Sequence, residues 1–153
     1  MSESVLTPAE RSLFQALDAL GVRYLMVGMA AALLEGAHGT TQGIDLWFGR
    51  IDGARLGAAA TRAGGLYTAG FGIQPPAIGG EGLDRVGLVV TAEGLDSFEE
   101  EYARSCEYAL GDVRVRVLPL ERIIVSKRAA HRAKDEAQLP LLEAALAAKR
   151  SLA

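Results

Sequence analysis

Asp45 stands in the setting richest in chemical meaning. It falls within Ile44-Asp45-Leu46-Trp47-Phe48, an apolar run that reads as a strand, two residues after Gly43. Period-two geometry puts residues 43 and 45 on one face of that strand and Ile44 and Leu46 on the other. A two-carboxylate metal site would need both of its members to point the same way, as positions 43 and 45 do. Here the pair is one acid and one glycine. The second suggestive group is basic. Lys127, Arg128, Arg132 and Lys134 crowd a stretch that reads as one helix, started at Pro119 and continued through Asp135. Such a helix suits a polyphosphate, by point charge from lysine and by fork geometry from arginine. Arg132 and Asp135 are also i,i+3 partners, a surface pair worth about 0.2–0.5 kcal/mol.

Other reactive residue types read as scaffold. His38 and His131, the only histidines, lack the Cys, His or Asp spacing of a zinc site. The single Cys106 cannot form an internal disulfide, so the chain suits a reducing cytoplasm, and on a strand it acts as a small hydrophobe. Glu99, Glu100 and Glu101 cannot all face one metal, because helical neighbours point about 100° apart. A solvated face with favourable helix-start electrostatics is expected there. Arg114 and Arg116 alternate with Val113, Val115 and Val117 and should face outward. They fit a grip on a phosphate or acidic partner, and equally charges that keep a strand edge from pairing. No Gly-x-Ser-x-Gly elbow, Walker loop or dinucleotide fingerprint occurs; Gly64-Gly65 and Gly79-Gly80 lack the strand-to-helix setting.

The elements that must position these groups follow from local signals. Thr7-Pro8-Ala9-Glu10 is a capping box with proline at the first helical position, and Leu13, Phe14, Leu17 and Leu20 supply an apolar stripe. Gly21 ends that helix and Val22–Val27 forms the first strand. Gly28 then leads into a small-residue helix, Ala30 to Leu34, stopped by Gly36 and Gly39. Asp52 caps an Ala-rich helix to about Ala63. Leu66 to Ile73 suggests a short strand or irregular hairpin, and Gln74 to Gly82, rich in Pro and Gly, reads as a loop. Arg85–Val90 is apolar enough for a central strand. An acidic helix follows from Glu99 to Arg104, and Gly111-Asp112 joins strands near Cys106–Leu110 and Val113–Val117.

In order and spacing, residues 7–148 resemble the small nucleotidyltransferase-like domains of the polymerase-beta superfamily. The family pattern runs Gly-Gly or Gly-Ser, helix, Gly, Arg-x-Thr-x-Asp-x-Asp. Gly28 matches its first glycine, Thr41 its Thr and Asp45 its second Asp, while Met29 replaces the second Gly or Ser. Gly39 stands where the family usually has Arg, Gly43 where it has its first metal-binding Asp, and Gly87 at the place of its third carboxylate. Asp84 would point away from position 87 and would replace that ligand only through a strand bulge. Lys127-x-x-x-x-Arg132-x-Lys134-Asp135, followed by Leu139, Leu141, Leu142 and Leu146, is similar to the tail of these proteins, including toxins of abortive-infection and type IV toxin-antitoxin systems. The resemblance implies Lys127 facing nucleotide phosphates, Arg132 and Asp135 holding two C-terminal helices together, and Mg²⁺ bridging nucleotide phosphates.

Composition bounds the rest. A chain of 153 residues has room for one core, burying about two-thirds of its unfolded surface. Its net charge of −3 argues against a broad nucleic-acid footprint. No apolar run approaches the roughly 20 residues of a membrane span, and the polar start Ser2-Glu3-Ser4 lacks the basic region of a signal peptide. The expectation is an α/β fold over residues 1–153 as one domain: a nucleotidyltransferase-like mixed central sheet flanked by helices, with a C-terminal helical pair. Functionally it is a cytoplasmic, catalytically degenerate member, with Asp45 the remnant catalytic and metal-binding residue. Gly28, Met29, Thr41 and Lys127 are its expected nucleotide or phosphate groove. Two alternatives stand beside it: an active Mg²⁺-dependent nucleotidyltransferase using Asp45 with other carboxylates, and the regulatory partner of a toxin-antitoxin pair. The implied partners are a nucleoside triphosphate, another protein or a second copy.

Overall fold

The computed structural model describes residues 5–152; the Ser2–Ser4 start lies outside them. Helix α1 (Pro8–Ala19) opens with the expected capping box, Thr7 accepting from the Glu10 amide and Glu10 from the Thr7 amide. Gly21, at φ +69°, turns the chain into β1 (Leu25–Val27), which is shorter than its apolar run. Next come α2 (Gly28–Leu34), β2 (Ile44–Trp47) and α3 (Gly53–Arg62), the last capped by the Asp52 carboxylate. β3 (Leu66–Thr68) pairs antiparallel with β4 (Ala77–Gly79). β5 (Val86–Val89), α4 (Phe98–Ala103), β6 (Cys106–Leu110), β7 (Val113–Val117), α5 (Leu120–Ala130) and α6 (Ala133–Ser151) complete the order. Among the described residues no helix is long and apolar enough to cross a membrane.

The architecture is mixed α/β, with a five-stranded sheet in the order β5-β2-β1-β7-β6 and C-terminal helices. β1 runs parallel to β7, β2 parallel to β5, and the β1–β2 and β6–β7 pairs are antiparallel. Strand alternation gives the sheet two chemically distinct faces: Val27, Asp45 and Gly87 occupy one register row, whereas Met26, Ile44 and Leu46 project from the other face. Met26, Leu46, Val115 and Val117 supply one face's share of the core, with Leu13, Phe14, Leu17 and Leu56 from α1 and α3, while buried Leu25 lies on the face of Val27 and Asp45.

Four expectations need correction. β5 is an edge strand, because an apolar run reports covered faces and not the number of hydrogen-bonded neighbours. The Gln74–Gly82 loop contains β4, whose Ile78 turns inward between exposed Ala77 and Gly79 and pairs with Tyr67. Residues 119–135 are not one helix. His131 adopts φ 56° and ψ 35°, closing α5, and Arg132 caps α6 with its amide donating to the Asp135 carboxylate. A new helix start beat propagation of the old one. Finally, the Glu99–Glu101 run is not wholly solvated: Glu101 is fully buried and accepts from Arg122 Nε (3.0 Å), Arg122 Nη2 (2.6 Å) and the Asp96 amide (2.9 Å). Burial pushes its carboxyl up, but those bonds outweigh burial and hold it below the usual range.

Candidate functional site

β1 delivers Val27 and Gly28 to one end of the sheet, and the first turn of α2 carries Met29. Asp45 pairs with Val27 on one side and with Gly87 on the other. A Cβ added at Gly28 would stand 3.3 Å from Asp45 Oδ2, and one added at Gly87 would stand 2.8 Å from Oδ1. The Asp45 carboxylate therefore occupies the space that two flanking side chains would need. Gly28 is also held at φ +69°, where larger residues are strained.

Gly28, Met29 and Asp45 share a cleft of about 370 Å³ with Lys127 and Ser126 from α5 and with Arg132, Lys134 and Gln138 at the start of α6. Thr91 and Glu93, after β5, close another side. The His131 break brings the basic residues in from two directions; they are not strung along a single rod. Lys127 is buried, its Nζ 3.2 Å from Asp135 Oδ1. Arg132 Nε donates to Asp135 Oδ2 at 2.7 Å. The Arg132–Asp135 pair is thus only half at the surface: Asp135 is fully buried, whereas Arg132 stays largely exposed. Burial raises the Asp135 carboxyl, yet the Arg132 and Lys127 bonds outweigh it and leave the group below the usual carboxylate range. Asp135 fixes the two cations, while Asp45 and Lys134 make no hydrogen bond or ion pair among the described residues.

The structure brings together Gly28, Met29, Asp45 and Lys127, and leaves Thr41 elsewhere. The Thr41 hydroxyl donates to the Gly43 carbonyl at 2.9 Å and lines a separate groove beside Ile44 and Ala30. Gly43 lies beside β5, where an added Cβ would meet only the Arg85 carbonyl at 3.5 Å. Sequence reading missed Ser126, Glu93 and Gln138. Ser126 was legible, one position from Lys127, but the other two reach the cleft only through the strand order and the helix break.

Among the described residues no group of three or more His, Cys, Asp or Glu side chains converges on a point, and the row facing Asp45 offers glycine. Among the described residues the result is a polar cleft with Asp45 at its floor, Glu93 at one side, Lys127 and Arg132 anchored by Asp135 along its wall, and Lys134 beside them without an ion pair. No protein-family model matches the chain, and no curated protein shows significant similarity to it.

Proposed function

We propose that this cleft binds a phosphate-bearing ligand, with a nucleoside triphosphate the first candidate, in a nucleotidyltransferase-like protein that no longer performs metal-dependent transfer. The observation that carries the reading is the Asp45–Gly87 row, in which a Cβ at 87 would lie 2.8 Å from Asp45 Oδ1. With Asp45 turned aside, a second carboxylate there would share a cation with it; glycine supplies none. Without that cluster the largest source of transition-state charge stabilisation for nucleotidyl transfer is missing. Lys127, Arg132 and Lys134 supply the positive side, with Lys134 free to meet a phosphate directly.

Thermal shift with ATP, GTP, CTP and UTP, with and without Mg²⁺, tests the reading. A ligand at 100 times its Kd stabilises by about 2.7 kcal/mol, roughly 5–11 °C for a chain of this size. Stabilisation independent of Mg²⁺ and lost in Lys134→Ala supports the proposal. Absence of any shift refutes phosphate binding, and stabilisation that requires Mg²⁺ refutes the emptied metal centre. Gly43→Asp with Gly87→Asp is the companion: calorimetry should show Mg²⁺ binding that the wild type lacks.

A further inference from the structure

We propose that the tip of the β3–β4 hairpin docks into an apolar groove on a second copy of this chain. The tip is an uncharged projection. Residues 63–80 contain no Asp, Glu, Lys or Arg, although 23% of the chain is charged. Within this stretch Phe71 keeps 85% of its surface in water and Ile73 all of it. Single exposed apolar residues are ordinary, but adjacent ones on a charge-free projection form a patch suited to contact.

The tip is also preformed. Phe71 and Gln74 exchange N–H···O bonds of 2.9 Å in both directions, closing a two-residue turn with Gly72 at φ +60°. Gly70 packs so tightly that an added Cβ would lie 2.9 Å from the Gln74 carbonyl oxygen. A knob held this way loses little conformational freedom on docking.

The matching hole is a groove of about 470 Å³ lined by Met26, Ala30, Leu33, Leu34, Ile44 and Leu110. A volume above about 300 Å³ is the range of sites that enclose compact ligands, so the groove has room for an aromatic and a branched aliphatic side chain. Met26 and Ile44 project from the sheet face opposite Val27 and Asp45, so the groove is separate from the ligand cleft. Its charged lining residue is Arg85, which already donates to Glu10 at 3.0 and 2.6 Å and to the Val5 carbonyl at 2.8 Å. An apolar side chain entering there would strand no charge. Knob and hole therefore agree in polarity and size, yet Phe71 and Ile73 stand in water: within one copy the hairpin tip does not enter the groove. A second copy carries both halves of the match. Two side chains bury far less than the roughly 1,200–2,000 Å² of a stable complex, so the association is weak and concentration-dependent.

Sedimentation velocity over a concentration series reads this directly, independently of nucleotide binding. Wild type should sediment faster as concentration rises. Phe71→Asp with Ile73→Asp, both exposed, should remain monomeric, as should Leu34→Glu and the rim variant Thr40→Glu, whose exposed position spares the fold. An equimolar mixture of the tip variant and the Leu34→Glu variant should associate again, each supplying the half the other lacks. The proposal is overturned if wild type stays monomeric throughout, if association survives both groove variants, or if the mixture fails to associate. It is equally overturned if phosphatidylcholine and phosphatidylglycerol vesicles pellet the protein through Phe71 and Ile73 with no effect of Leu34→Glu, which would make the partner a lipid surface.

Discussion

Replacing Asp135 by Ala should be among the most damaging single changes in the chain, and the structure says why. Its carboxylate is fully buried and bonded to Lys127, itself buried, and to Arg132, which is largely exposed. On losing the carboxylate, Arg132 can turn to water, but Lys127 is left as an uncompensated buried ammonium. Breaking a buried pair in this way costs about 3–5 kcal/mol, or roughly 6–20 °C in Tm at this chain length. Urea denaturation followed by circular dichroism measures it. Lys127→Met in the Asp135→Ala background removes the stranded charge and should recover part of the loss, giving a coupling energy above about 0.5 kcal/mol in the double-mutant cycle. The pH dependence has a definite sign. Because the Arg132 and Lys127 bonds hold Asp135 below its ordinary value, its contribution is fully present above pH ~4 and is lost as pH falls through the lower folded value. Wild type and variant should thus converge in acid. Strictly additive single costs, or a variant within about 1 kcal/mol of wild type at pH 7, would refute the reasoning.

Three further outcomes follow from the packing. Gly49→Ala drives a Cβ into the Phe98 ring, so the ring must move; the expected loss is about 1–3 kcal/mol by thermal melt, and an unchanged Tm would contradict the geometry. Glu35, fully buried, accepts from Lys149 Nζ and the Leu120 amide, both at 2.8 Å, and from the Tyr108 hydroxyl. Burial raises its carboxyl, the bonds outweigh burial, and the net value lies below the usual range; stability from it is present above pH ~4 and lost below. Glu35→Gln should cost about 1–2 kcal/mol at pH 7 and flatten the acid limb of the stability curve, whereas an unaltered limb would count against the role. Leu142→Ala, at a fully buried position of α6, should cost about 2–5 kcal/mol and speed amide exchange along that helix.

Much of the scaffold was legible because its signals are local. The Thr7 box, the Asp52 cap and the Val113–Val117 alternation each depend on residues a few positions apart, and each element forms there. The meeting of Asp45 with position 87 was also expected, and the two strands pair in that register. What escaped was set by distant partners. Glu101 looked solvated beside two other glutamates, yet Arg122 draws it inside. By spacing alone Asp135 read as half of a surface pair, while the resemblance set it with Arg132 between two C-terminal helices; its bond to Lys127 of the preceding helix was in neither reading. Glu35 gave no sequence signal, because its partners Tyr108, Leu120 and Lys149 lie 73, 85 and 114 positions away. Thr41 shows the reverse error: a motif match assigned it to the cleft, while its hydroxyl closes a local turn.

The Glu35 anchor has a topological consequence. It fastens the last turn of α6 to the segment that follows α2, so the start and finish of the fold share one buried carboxylate. Fraying of the final helix is thereby coupled to the wall of helices behind Met29. Material joined to the chain after Lys149 would pull on the same clasp that holds the segment after α2.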